Sequence, residues 1–405
     1  MSRVISGKKQ DTPIIHLIAA ARPNFMKVAP VYHALSRAGW CRPILVHTGQ
    51  HYDPNMSATF LDDLGIPEPD IHLGIGSGSH AEQTGGVMIA YEHICLENPP
   101  NWVIVVGDVN STMACAITAK KLCLPVAHLE AGLRSRDMTM PEEINRIVTD
   151  AISDLLWTPS PDADENLRGE GVAAHKIVRV GNIMIDSYEM LREKIENEPL
   201  PNLPGLTSVR RSASVCGSTS VHGSANVCGS TSVCCSTRGS YGVVTLHRPV
   251  NVDNEQNLSK LVAVLSKISA TLPLVFPVHP RTRKQLEDFH LWDILKQAPG
   301  MHLTEPASYI TFMSLVRQAR LVITDSGGIQ EETTYLDIPC LTLRETTERP
   351  ITLTQGTNRL VTPETLASGV AQILLGEWPH GVRPELWDGH TAERVVESLR
   401  AVIKI

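Results

Sequence analysis

The stretch Asp325–Glu332 (DSGGIQEE) carries the strongest chemical signal in the chain. It follows the apolar run Leu321–Thr324 and leads into helix-forming residues, so it reads as a strand–turn–helix junction. Gly327 and Gly328 leave backbone N–H groups uncovered behind Ser326, and a helix N-terminus favours an anion. A diphosphate fits that chemistry. Glu332 falls one turn into the helix, where a carboxylate can hold two hydroxyls of a ribose. The plain alternative is a tight turn with a helix cap, but the double glycine in this setting favours phosphate.

Carboxylates form a second group. Asp108 follows the apolar run Trp102–Gly107, Glu130 lies in HLEAGLR at 128–134, and Glu142 lies in Pro141-Glu142-Glu143. Neighbouring parallel strands would bring Asp108 and Glu130 to one rim. Close carboxylates raise one another's pKa, which equips them for proton transfer near neutral pH. Glu142 and Glu143 read equally well as acids in a first helical turn. A third group is basic. Arg22 and Lys27 flank the first strand–helix turn, His247 and Arg248 end a later strand, and Thr347-Glu348-Arg349-Pro350 makes another charged turn. Cations there would neutralise phosphates as charge builds on a leaving group. For Lys27 the alternative is a solvated helix face. For His279, between Val278 and Pro280, it is a satisfied structural histidine.

The elements that must position these groups alternate. A buried strand at Pro13–Ala20 is followed by a helix predicted from about Met26 to Ala38, stopped by Gly39, and by a strand at 42–49. Trp102–Gly107, Asn110–Leu122 and Pro125–Leu129 repeat strand, helix and strand, and a helix is predicted from Pro141 through Leu156. The rhythm restarts near residue 240, with strands at 243–246, 272–279, 321–325 and 339–343 and helices at 257–271 and about 328–336. This is the pattern of doubly wound parallel sheets, with ligands beyond the carboxyl ends of the strands. The fold class is therefore α/β, with two Rossmann-like doubly wound domains and a cleft between them. The expected domains are 13–185, then 186–385 as the nucleotide-binding half, then a helix at 386–405.

Composition narrows the classes. The 405 residues carry 42% hydrophobic and 20% charged residues and a net charge of −7, so a disordered chain and a basic nucleic-acid binder are both disfavoured. No apolar run spans a bilayer and the N-terminus has no apolar h-region, so no membrane partner and a cytoplasmic location are expected. Nine cysteines without consistent ligand spacing predict reduced thiols and no metal. The segment 207–240 departs from all this. Thr-Ser-Val recurs at 207, 219 and 231 in a background of Ser, Gly, Cys and Val, which reads as a duplicated, flexible surface insertion. A metal tract from Cys216, His222, Cys228, Cys234 and Cys235 matches no zinc pattern.

Ten motifs occur in a fixed order: RPNFMK at 22–27, GQH at 49–51, GD at 107–108, HLEAGLR at 128–134, PEEINR at 141–146, VGN at 180–182, LHRP at 246–249, PVHP at 277–280, DSGGIQEE at 325–332 and TTERP at 346–350. Together, over about Ile14–Val361, they resemble the non-hydrolysing UDP-N-acetylglucosamine 2-epimerases. The resemblance implies a glycosyltransferase-B architecture and interconversion of UDP-N-acetylglucosamine and UDP-N-acetylmannosamine, with no metal and no nicotinamide. It implies that Asp108, Glu130 and Glu142 are the acid/base group and that His247 assists the departing diphosphate. Ser326, Gly327, Gly328 and Glu332 would hold the UDP, and Arg22 and Lys27 would line the cleft. Gln50, His51, Arg134, Arg248, His279 and Arg349 complete the expected substrate contacts. The C-terminal helix would cross back to the first half, and a homodimer is the expected assembly. Two features depart from the pattern: Asn24 stands where many members have Glu, and the 207–240 insertion is extra. The competing readings are a hydrolysing 2-epimerase, a glycosyltransferase of the same fold, and a non-catalytic UDP-sugar sensor.

Overall fold

The structure is a computed structural model and describes residues 12–49, 60–201 and 239–403. Two compact units emerge, one drawn from residues up to Glu193, from Thr346–Gly356 and from Val382 onward. The other is drawn from Lys194–Glu345 and Thr357–Gly381.

The first unit begins β1 (Ile14–Ala19), α1 (Arg22–Ala38), β2 (Arg42–His47), β3 (Ile71–His72), α2 (His80–Glu97) and β4 (Trp102–Val106). It continues α3 (Asn110–Lys121), β5 (Val126–Leu129), α4 (Pro141–Ile152), β6 (Leu155–Thr158), α5 (Pro161–Gly169) and β7 (Ile177–Arg179), followed by α6 (Ile183–Asn197). Its strands pair in parallel in the order β3-β2-β1-β4-β5-β6-β7. Helices cover the central strands, which is why Ile15, Leu17 and Val103–Val106 are all but wholly buried and read as unbroken apolar runs.

Two boundaries differ most from the sequence reading. Helix α1 starts at Arg22 rather than near Met26. Pro23 costs nothing in a first turn, where its missing N–H would have no partner, and the Asn24 Oδ1 accepts from the Ala21 N–H at 3.2 Å. Helix α4 stops at Ile152, short of Leu156, because the fully buried run Leu155–Thr158 is strand β6.

The second unit holds β8 (Gly242–Thr245), α7 (Pro249–Val252), α8 (Glu255–Ser269), β9 (Leu274–Pro277), α9 (Pro280–Asp288), α10 (Trp292–Lys296) and β10 (Met301–Thr304). Then come α11 (Tyr309–Gln318), β11 (Leu321–Thr324), α12 (Gly327–Tyr335) and β12 (Cys340–Leu343). Helix α13 (Ile351–Thr354) belongs to the first unit, while β13 (Asn358–Val361) and α14 (Pro363–Leu375) return to the second. Its sheet, also parallel, runs β10-β9-β8-β11-β12-β13. The core of this unit joins Val244, Phe276, Ile323 and Leu341 of the sheet to Leu258, Leu261 and Leu265 of α8.

Helix α15 (Thr391–Val402) lies in the first unit against α1. The Asp186 carboxylate accepts from the Ala392 N–H at 2.7 Å, supplying the cap the helix otherwise lacks, and the Trp157 indole donates to Ser398 at 3.0 Å. No described helix is long and apolar enough to cross a membrane.

Candidate active site

Both sheets reverse their strand order at one place, between β1 and β4 and between β8 and β11. Such switch points open crevices beyond the strand ends. Some of the residues singled out from sequence, among them Lys27, Asp108, His247 and Ser326, lie at the ends of the switch-point strands or on the helices beside them.

In the first unit the β4–β5 register pairs Val106 with Leu129, and the Gly107 N–H donates to the Leu129 carbonyl at 3.0 Å. Asp108 and Glu130 therefore leave neighbouring strands at one rim. Each meets a cation. The Lys27 ammonium on α1 is hydrogen-bonded to Glu130 Oε2, and Arg349 Nη2 stands 3.8 Å from Oε1. Glu130 is buried and Oε1 accepts no hydrogen bond. Its φ of 72° lies in the left-handed region, which costs a non-glycine residue on the order of 1–2 kcal/mol. Gly107 has φ 70°, and a Cβ there would stand 3.3 Å from both Glu130 Oε2 and Lys27 Nζ. The glycine is what lets the turn, the carboxylate and the ammonium share one spot.

Asp108 is hydrogen-bonded to the guanidinium of Arg146, which also donates to Glu143 at 2.7 and 3.1 Å. Glu143 is buried. Desolvation pushes its pKa up, but the Ser135 amide, Arg146 and the Arg136 amide outweigh it and hold the carboxyl below the ordinary range. Glu142, one residue earlier, is exposed and has no hydrogen bond or ion pair among the described residues. The sequence reading placed Glu142, not Glu143, in the acid/base group; the helical turn exposes Glu142 and buries Glu143. The expected mutual influence of the carboxylates is thus replaced by a cation for Glu130 and another for Asp108. Arg146 entered the sequence reading only inside a motif, although its i,i+3 spacing from Glu143 was a usable signal. Asn24 was missed as a functional residue: its Nδ2 donates to the Val106 carbonyl at 3.0 Å, tying α1 to the turn before Asp108.

Arg134 is buried, with Nε and Nη2 on Glu170 at 2.8 and 2.7 Å and Nη1 near Asp150 Oδ2 at 2.7 Å. Nη1 also donates to the Leu133 carbonyl at 2.8 Å, so the guanidinium is held by Glu170, Asp150 and its own backbone neighbour. Arg22 opens α1. Gln50 and His51 lie outside the described residues, as does 207–238 of the insertion.

In the second unit the buried Asp325 organises the switch point. It accepts from the backbone amides of His247 and Arg248 and from Asn251 Nδ2, and its Oδ1 stands 3.0 Å from His247 Nδ1. Burial raises its pKa, yet His247, the Arg248 amide and Asn251 bring it below the ordinary value. This carboxylate orients the ring, with Nδ1 turned toward Asp325 and Nε2 left as the other ring nitrogen. The His279 ring lies 5.8 Å from that of His247, and its Nδ1 accepts from the Arg281 N–H at 3.2 Å. Burial, then the charges of His247 and Arg281, lower its pKa.

Ser326 precedes α12 without capping it through its side chain, the first turn carries no acid, and a Cβ at Gly328 would meet nothing within 4 Å. The first amides of α12 are thus placed to receive an anion. Glu332 is buried one turn on, accepting from the Tyr309 hydroxyl at 2.6 Å; burial raises its pKa to about 8. Among the described residues no cluster of three or more His, Cys, Asp or Glu side chains has the geometry of a metal site.

The chain as a whole is similar to known proteins. The sequence model of the family described as UDP-N-acetylglucosamine 2-epimerase matches residues 33–400. A relative from Methanocaldococcus jannaschii named UDP-N-acetylglucosamine 2-epimerase is 37% identical over 391 residues, 95% of this chain and 98% of that protein. A relative from Pseudomonas aeruginosa named UDP-2,3-diacetamido-2,3-dideoxy-D-glucuronate 2-epimerase is 39% identical over 347 residues, 85% of this chain and 87% of that protein. The crystal structure of the M. jannaschii UDP-GlcNAc 2-epimerase in complex with UDP-GlcNAc and UDP superposes with a TM-score of 0.80. That match covers 96% of this chain and 99% of the other, at 37% identity. The two parallel α/β sheets, the order of the motifs and these matches converge on one assignment: the chain belongs to the UDP-N-acetylglucosamine 2-epimerase family.

Proposed function

We propose that the chain interconverts UDP-N-acetylglucosamine and UDP-N-acetylmannosamine without releasing free sugar. A carboxylate of the group Asp108, Glu130 and Glu142 takes the C2 proton as the C1–O bond to UDP breaks. The C–H electron pair becomes the C1–C2 double bond of a 2-acetamidoglucal, and the C1–O pair leaves with UDP. A second member of the group returns a proton to the opposite face of C2 while a diphosphate oxygen rebuilds the bond to C1. No net oxidation occurs, so no redox partner is needed. The observation that carries this reading is the pair of carboxylates on neighbouring strands, Glu130 beside Lys27 and Asp108 beside an Arg146 shared with Glu143, so that a cation lies next to each as a proton moves. His247, oriented by Asp325, would assist the departing diphosphate; the first amides of α12 would hold it, and Glu332 would hold the ribose. Lys27 and Arg349 would line the sugar side, and Arg248 and His279 the nucleotide side.

A second reading concerns the substrate. The P. aeruginosa relative is named for a diacetamido-glucuronate, and its identity to this chain is no lower than that of the M. jannaschii relative. Incubation with UDP-N-acetylglucosamine alone, followed by product identification, is the test. UDP-N-acetylmannosamine is the expected product. UDP with free N-acetylmannosamine would indicate the hydrolysing reaction. Turnover only of the diacetamido-glucuronate would move the substrate, and binding without turnover would indicate a sensor.

A further inference from the structure

His128, on strand β5, has a fully buried side chain and no role in the chemistry proposed above. Both of its ring nitrogens meet acceptors. Nε2 lies 2.8 Å from the Gly107 carbonyl oxygen, which can only accept. Nδ1 lies 2.6 Å from Asp150 Oδ1. The other oxygen of Asp150 accepts from the Gly132 N–H at 3.0 Å and lies 2.7 Å from Arg134 Nη1. Those donors suit an ionised carboxylate. Burial raises the pKa of Asp150, but His128 and Arg134 outweigh it and hold it below the ordinary value. An ionised carboxylate, too, can only accept, so donor–acceptor accounting places a hydrogen on each ring nitrogen. The row of alternating charge ends at Glu170, gripped by Arg134. Among the described residues no other ionic group pairs with His128 or Asp150.

The carbonyl that His128 holds is the middle one of three. The Val106 carbonyl accepts from Asn24 Nδ2 at 3.0 Å and Thr112 Oγ1 at 2.9 Å, and the Asp108 carbonyl accepts from Asn145 Nδ2 at 2.8 Å. Every peptide around Asp108 is thus gripped by a side chain from another element. We propose that His128, protonated on both ring nitrogens and balanced by Asp150, is a positioning residue whose Nε2–H fixes the Gly107 peptide and so the direction in which the turn presents Asp108. This rests on the assignment of Asp108 to the acid/base group.

Two measurements on the full-length enzyme test it. Long-range proton–nitrogen NMR of histidine-labelled protein reads the ring directly, with the His128 signal identified by its loss in His128→Gln. Protons on both nitrogens at pH 7.5 are expected, and a neutral ring overturns the proposal. The second compares His128→Gln, whose amide nitrogen falls near the place of Nε2, with His128→Asn, whose amide falls near that of Nδ1. His128→Asn should lower kcat by on the order of 100-fold, the scale of a 1 Å misplacement, while His128→Gln stays within about tenfold of wild type. UDP affinity should not change in either variant. Equal kcat in the two overturns the positioning role. Absence of epimerisation by the wild type would instead overturn the functional reading and leave the NMR result standing.

Discussion

Glu130 combines three features that seldom coincide without a use: a left-handed backbone, burial, and an oxygen without a hydrogen bond. Strain of that kind persists when neighbours enforce it, here Lys27 and the Gly107 turn. Glu130→Gln and Asp108→Asn keep shape but remove the basic site, so each should lower turnover by about 100-fold or more while UDP still binds. Near-normal turnover in either would remove that residue from the acid/base group. Glu332 offers a pH test. With its pKa raised to about 8 by burial it is mostly protonated at pH 7, whereas the ribose contact proposed for it, accepting two hydroxyls, uses the carboxylate. UDP affinity should therefore rise between pH 7 and about 8 and then level, and binding at pH 7 should release a proton that Glu332→Gln abolishes. Calorimetry in buffers of different ionisation enthalpy would show it, and affinity flat with pH and no proton release would contradict it. At this scale the sequence displays acids at strand ends, because strand ends are legible. Their cation partners are not: Arg146 reaches Asp108 across 38 positions, and only packing brings them together.

At the scale of elements, the alternating strands and helices around both switch points are readable because buried parallel strands are plain apolar runs. Boundaries are less so. Strand β6 merges with the predicted end of α4, and the two-residue β3 has no pattern to find. The turn after β4 depends on one glycine. Gly107→Ala adds a Cβ at positive φ against Glu130 and Lys27, so activity should be lost with much of the fold retained, measured as kcat beside the melting temperature. A variant with wild-type kcat would show that the turn tolerates displacement. Helix α15 should matter for stability rather than chemistry. Ending the chain before Thr391 uncovers α1 and leaves the Trp157 indole without Ser398, so the melting temperature should fall by several degrees or more. An unchanged melt would mean that α15 adds nothing to the first unit.

Across the whole molecule, the two doubly wound sheets and the family were legible from motif order, while the course of 207–238 lies outside the described residues. The composition of 207–238 cannot build a core, so replacing it with a short Gly/Ser linker that leads into the buried Gly239, whose N–H donates to the Gln318 carbonyl, should preserve soluble expression and most turnover. Collapse of expression would mean that it packs against a domain. Light scattering checks the proposed homodimer, for which a mass near 88 kDa, about twice the 44.3 kDa chain, is expected, and a monomer at working concentration would exclude it. In the proposed reaction a carboxylate removes the proton from C2 and a different group returns one to the opposite face. A proton that leaves to a group in exchange with solvent is replaced from solvent. Reaction of UDP-N-acetylglucosamine in heavy water, read by NMR and mass spectrometry, should therefore place one deuteron at C2 of the UDP-N-acetylmannosamine formed. Epimerised product that retains the original C2 hydrogen would contradict the account.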